Sequence, residues 1–260
     1  MSMRDRDRDG TRGAANSQER NPGARPSEAG GLGRFHRREM LSLAAAASAV
    51  GLAAGTAPGL FAPREALAQT TLTPDTALRR LIDGNGRYVA GSLTAFSQDL
   101  SILKQKTAEK QQPFAAVLSC ADSRVPVEIV FDQSIGHVFV CRVAGNIATP
   151  AIIGSLEFGT NVLGARLLMV LGHRSCGAVA AAIRNQAVPG QISGLYPYIR
   201  PAVDKAGTDL EAAIKANAVF QARVLQEASP VIAGLVKQEK LRVVAAYYDL
   251  ATGKVSVLQG

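Results

Sequence analysis

Three side chains able to bind a metal, and two able to work beside it, recur at short spacings in a largely apolar chain. His173-Arg174-Ser175-Cys176 sets an imidazole and a thiol three residues apart, and Cys120 stands 53 residues before His173. Two thiolates and one imidazole form a soft-to-borderline donor set that selects zinc, and three protein ligands leave a fourth position for water, as catalytic sites do. A structural site fills that position with a fourth Cys or His, whereas the only other histidine after residue 68 is His137. By spacing alone the same residues also suit a buried thiol and a histidine at a helix start.

Cys120-Ala121-Asp122-Ser123-Arg124 puts a carboxylate and a guanidinium next to the first thiol. Bidentate pairing with Arg124 keeps Asp122 ionised and oriented. From there the carboxylate can accept a hydrogen bond from a zinc-bound hydroxide or take the open coordination position itself. A bland surface ion pair needs no adjacent thiolate.

Such a constellation must be carried by strand ends. Short apolar runs at 114–119, 138–141, 167–171 and 241–247 alternate with helical patterns at 151–163, 176–183, 209–227 and 230–238. That alternation predicts an α/β fold, a mostly parallel sheet of four to five strands flanked by helices on both faces. Further helices are predicted from a Thr73 cap over 74–82 and over 99–110, and a closing hairpin over 248–257 turns at Thr252-Gly253. Ligands sit at the carboxyl ends of parallel strands. Cys120 ends the first run, Arg142 ends the second and His173 follows the third, so all converge on one rim.

Together, Cys120-x-Asp122-Ser123-Arg124, Arg142-Val143-Ala144-Gly145-Asn146 and Gly172-His173-x-x-Cys176-Gly177 resemble the beta-class carbonic anhydrases. Gly84-Asn85-x-Arg87-Tyr88, Phe131-Asp132-Gln133 and Tyr248-Asp249-Leu250-x-Thr252-Gly253 are similar to that family too, so the resemblance runs from about Pro74 to the C-terminus. It implies the family's fold, Zn²⁺ on Cys120, His173 and Cys176, and Asp122 with Arg124 as a catalytic dyad. It implies reversible hydration of CO₂ to bicarbonate and a proton. Gln111, nine residues before Cys120, matches a substrate-binding Gln that family members place in the partner subunit's site. Phe139 and Phe158 match apolar substrate positions, with plain core packing as their alternative, and Ala144 matches a small neighbour.

In the family's closed form the dyad Asp becomes a fourth ligand, here Asp122, and a Trp lines a second bicarbonate site. Val117 stands at that Trp position, which favours the open form at neutral pH. Because the family's site spans a dimer interface, the resemblance implies a homodimer or tetramer. Two other readings stay on the table: a hydrolase of carbonyl sulfide or carbon disulfide on the same scaffold, and a zinc-binding homologue without turnover. The intact Asp122-Arg124 pair argues against the second.

The whole chain has 260 residues, 47% hydrophobic and 19% charged, with a formal net charge of +8. Residues 1–68 hold 10 Lys+Arg and 7 Asp+Glu, leaving 19 and 14 spread over residues 69–260 with no basic stretch longer than Arg79-Arg80. Without a basic run or interleaved aromatics, nucleic-acid binding is excluded as a leading function. The first 34 residues are polar and repetitive and read as disordered. Arg37-Arg38 then precedes an apolar stretch, 41–62, and Ala66-Leu67-Ala68, in the order of a twin-arginine export signal cleaved after Ala68. The stretch is rich in Ala and Gly and broken by Pro58, so no stable membrane anchor is expected. The reading is a single catalytic zinc domain over 69–260, delivered to the periplasm or otherwise exported by the twin-arginine translocase. Cys141 on an apolar run reads as packing and His137 as a surface histidine.

Overall fold

The computed structural model describes residues 70–258 apart from 96, 98 and 99. The expected leader and its cleavage site lie outside the described residues, as does the Asp99 start of the second helix. Helices α1 (Pro74–Val89) and α2 (Leu100–Thr107) come first, then β1 (Ala115–Ser119), the short α3 (Val127–Val130), β2 (Val138–Arg142) and α4 (Pro150–Glu157), which runs on into a π-helical turn, Phe158–Val162. After β3 (Leu167–His173) follow α5 (Gly177–Arg184), α6 (Tyr196–Ala206), α7 (Leu210–Ala228), α8 (Pro230–Lys237), β4 (Arg242–Tyr248) and β5 (Val255–Leu258).

Five strands form one sheet in the order β2-β1-β3-β4-β5, parallel except for the β4–β5 hairpin. The fold class and the hairpin are those the sequence predicts. Gly253 closes the hairpin at φ 73°, with its N–H on the Asp249 carbonyl at 2.9 Å. Both faces of the sheet are covered. Leu167, Met169 and Leu171 of β3 pack with Leu81, Phe114, Val117 and Phe131 on one face, while Leu168 and Val170 pack with Leu118, Ala218 and Leu225 on the other. This period of two inside an all-apolar strand is what burial on both faces requires.

Side-chain caps fix where the helices begin. Thr73, Thr149, Asp209 and Ser229 each accept from a backbone N–H in the first turn of α1, α4, α7 and α8. The sequence reading misses α6, because Pro201 inside it is a residue that ordinarily ends a helix. Cys141 is buried in the apolar cluster below β2, and burial raises its thiol pKa. His137 departs from the surface expectation: it is half-buried, its Nδ1 lies 3.2 Å from an Arg80 nitrogen, and burial and that guanidinium lower its pKa. No helix among the described residues is long and apolar enough to cross a membrane.

Candidate metal centre

Adjacent parallel strands deliver the ligands to one edge. β1 ends at Ser119, opposite Leu171 of β3, so Cys120 and His173 emerge at the same carboxyl end of the sheet. A tight turn with Ser175 at φ 55° then brings Cys176 to the N-cap of α5. Cys120 Sγ and Cys176 Sγ are 4.0 Å apart, and these sulfurs and a ring nitrogen of His173 all lie within 4.8 Å of one another. All three residues are buried, His173 at 0% exposure.

Two observations test whether this cluster suits a metal. His173 Nδ1 is 2.9 Å from the Arg174 carbonyl oxygen, so the ring proton resides there and is donated. Nε2 then keeps its lone pair, and it is buried with no hydrogen-bond partner. Its nearest carboxylate oxygen, Asp122 Oδ2, is 3.8 Å away, too far for a hydrogen bond. An orphaned buried acceptor of this kind costs stability unless something coordinates it. Two sulfurs bound at about 2.3 Å to a tetrahedral ion stand about 3.8 Å apart, close to the spacing found. The Cys-His-Cys cluster can hold a metal ion, and its donor set is the one borderline ions prefer.

Charge is arranged to the same end. The Cys120 and Cys176 sulfurs share a hydrogen bond, which holds Cys120 well below the ordinary thiol range; the Gly145 N–H at 3.3 Å adds to this against the effect of burial. Cys176 is pushed up by the same hydrogen bond, by burial and by the neighbouring negative charge. The two sulfurs thus share a proton, which a cation held by both would displace.

Beside the cluster, Arg124 Nε and Nη2 donate to Asp122 Oδ1 and Oδ2 at 2.9 and 2.8 Å, and the Arg124 backbone N–H donates to Oδ1 at 2.9 Å. These bonds hold the Asp122 carboxyl well below the usual carboxylate range. Arg142, the third residue predicted on this rim, serves the backbone: its Nε donates to the Cys120 carbonyl at 3.0 Å and its Nη2 to that of Asp122 at 2.5 Å. It fixes the loop that carries both the thiol and the carboxylate.

The predicted substrate contacts divide. Ala144 lies half-buried in the loop next to Gly145, beside the cluster. Gln111 is exposed and precedes β1, at the end of the sheet opposite Cys120. Phe139 pairs in register with Ala116, four residues before Cys120, which places it about 13 Å away along the strand. Its ring lies 6.3 Å from that of Phe158, which is 46% exposed. Within one protomer, then, Gln111, Phe139 and Phe158 are not brought to the cluster. Sequence reasoning missed the Gly145 amide on Cys120, because a backbone donor leaves no residue type to read.

A family model described as carbonic anhydrase matches residues 115–255. A carbonic anhydrase of Mycolicibacterium smegmatis is 36% identical over 192 residues, covering 71% of this chain and 93% of that one. Among solved structures, the Coccomyxa beta-carbonic anhydrase in complex with acetazolamide is 26% identical with a TM-score of 0.54, covering 61% of this chain and 78% of that one. A chain from the crystal structures of two tetrameric beta-carbonic anhydrases from Sordaria macrospora shares the fold at a TM-score of 0.57 and 20% identity, over 71% of this chain and 98% of that one. With a buried Cys-His-Cys cluster at the carboxyl edge of this sheet and a family model spanning more than half its length, the chain belongs to the beta class of the carbonic anhydrase family, whose members are enzymes of the lyase type.

Proposed function

We propose that the protein is a zinc-dependent carbonic anhydrase interconverting CO₂ and bicarbonate plus a proton, with Cys120, His173 and Cys176 as the metal ligands. The observation that carries this reading is the partnerless Nε2 of His173, buried beside two thiols and 3.8 Å from an ionised carboxylate. Zinc, when bound, supplies a Lewis acid that brings the pKa of a coordinated water toward neutrality.

The chain's own residues supply the rest. Asp122 lies 3.8 Å from His173 Nε2, where it would stand beside an ion held by the cluster, and is fixed there by three donors from Arg124. Swinging into coordination would forfeit those bonds, which supports the open form, as does Val117 packed at 0% exposure in the core. An ionised carboxylate so placed accepts a hydrogen bond from the reacting oxygen and orients it toward CO₂. Arg142 keeps that loop rigid through the Cys120 and Asp122 carbonyls.

Gln111 lies away from its own cluster, and its assigned role is at the site of a second copy; Phe139 and Phe158 could line a substrate pocket only there, with core packing as their alternative. This makes the active unit a homodimer or a larger homo-oligomer, in keeping with the tetrameric relatives that share the fold. Arg37-Arg38, the apolar stretch and Ala66-Leu67-Ala68 support export by the twin-arginine translocase with cleavage after Ala68, after folding and metal loading. An exported protein beginning at Gln69 in N-terminal sequencing is the expected result; one retaining Arg37 would refute this part.

Parallel steady-state assays with CO₂ and with carbonyl sulfide test the substrate. Turnover of CO₂ well above that of carbonyl sulfide supports the proposal. The reverse ranking assigns a sulfur-compound hydrolase, and turnover of neither by the zinc-loaded protein assigns a silent metal-binding homologue.

A further inference from the structure

The loop after β2 is held on both sides of a single glycine. The Gly145 N–H donates to Cys120 Sγ at 3.3 Å, and the Gly145 carbonyl accepts from Nδ2 of Asn217 at 2.9 Å. Asn217 sits fully buried in the middle of α7, and Gln221, one turn later on the same face, is buried as well. Gln221 Nε2 donates to Asn217 Oδ1 at 3.1 Å and to the Tyr198 carbonyl at 2.8 Å, while its Oε1 accepts from the Ala148 N–H at 2.9 Å.

The amide orientations are forced. Ala148 N–H needs an acceptor and the Tyr198 carbonyl a donor, so Gln221 presents its remaining N–H to the Asn217 oxygen, which turns Nδ2 onto Gly145. Gly145 has no side chain with which to set its own conformation. It sits at φ 79° beside Asn146 at φ 44°, and an added Cβ would lie 2.8 Å from Ile199 Cδ1.

Two carboxamides buried inside a helix cost stability unless every bond is used. Neither is bonded to the cluster or to Asp122; what they hold is the backbone that carries a thiolate's hydrogen-bond donor. The geometry points to Asn217, oriented by Gln221, as a positioning residue of the metal centre: it sets the Gly145 amide on Cys120 and thereby how much of that thiolate's charge is available to a bound ion. This inference rests on the metal reading above. Without Asn217 the Gly145 carbonyl is buried without a partner; the Gly145–Asn146 peptide turns to find one, Gly145 shifts with it, and the N–H of the preceding peptide is drawn off the sulfur.

The test uses the full-length chain, metal-free and loaded with the NMR-active cadmium isotope. In the wild type the Gly145 amide proton couples to cadmium across Cys120 Sγ, and it exchanges slowly with solvent in both forms. Asn217→Leu keeps the bulk and removes the amide. It is expected to retain the metal, lose the coupling and speed Gly145 exchange by about tenfold, the worth of one net hydrogen bond, while Met169 in the middle of β3 exchanges as before. Gln221→Met acts one step back, is expected to shift the same two readouts less, and serves where Asn217→Leu does not fold. Unchanged coupling and exchange at Gly145 in either folded variant overturns the inference. A wild type that takes up no cadmium refutes the metal reading instead, and exchange at Gly145 in the metal-free chain still decides the role of Asn217.

Discussion

Helix α1 contains two glycines two residues apart whose replacement by alanine is expected to have opposite effects. On helix propensity alone each Gly→Ala change stabilises by about 1 kcal/mol. Gly86 faces solvent and an added Cβ there meets nothing within 4 Å, so Gly86→Ala should realise that gain. Gly84 is buried against the end of α3: an added Cβ would overlap the Phe131 carbonyl oxygen and lie 2.8 Å from its carbon and 2.9 Å from Gln133 Nε2. The obstacle is backbone and cannot swing aside. Separating the elements costs about 1–3 kcal/mol in overpacking. It also strains the Asn85 bonds to Val130 and Val255, at 3.1 and 2.8 Å, each worth about 1 kcal/mol. The net is a loss of about 3 kcal/mol, or a fall in Tm of about 6–12 °C for a domain of this size, against a rise of about 2–4 °C for Gly86→Ala. Thermal melts followed by circular dichroism measure both. Equal shifts of the same sign would refute the packing of α1 on α3, and with it the reason for Gly84-Asn85-x-Arg87.

Other expectations concern the site and its supports. Asp122→Asn should keep the metal and lose about a hundredfold or more in CO₂ turnover; metal analysis with activity measurement checks it, and unchanged turnover would mean the dyad is misassigned. Cys176→Ser should lose stoichiometric metal, as measured by elemental analysis. For the wild type, zinc at a hundred times its Kd should raise the Tm of chelator-stripped protein by about 5–10 °C, from about 2.7 kcal/mol of linkage. Burial works to raise the Asp132 carboxyl, but the Ala95 and Thr94 donors and Arg87 outweigh it and hold it at about 2. A carboxyl depressed in the folded state contributes stability above its unfolded value, lost as the pH falls through the folded one. Denaturant melts of Asp132→Asn should therefore show lower stability than wild type at neutral pH and a gap that narrows between about pH 4 and pH 2.

Much of this arrangement was legible in the sequence for physical reasons. Short apolar runs alternating with helical patterns read as strands buried on both faces, and the parallel topology that follows puts Cys120 and His173 at one edge. The distinctive residue types Cys, His, Asp and Arg at the strand ends then announce the chemistry. What was hidden is carried by backbone and by context. Pro201 inside α6 masks a helix that packing against α7 sustains. His137 is drawn under Arg80 by tertiary contacts that its neighbours in sequence do not announce. The Gly145 amide and the Asn217–Gln221 pair act through ordinary peptide and carboxamide groups, which carry no signature until the fold places them. Gln111, Phe139 and Phe158 stand away from the cluster within one chain, so the substrate role proposed for them comes from family resemblance alone.

Stopped-flow hydration of CO₂ by the full-length protein at increasing zinc occupancy tests the central claim most directly. The hydration rate should rise in proportion to bound zinc and level off at one ion per chain. A protein holding one zinc on Cys120, His173 and Cys176, yet hydrating CO₂ no faster than buffer at neutral and alkaline pH, would contradict it.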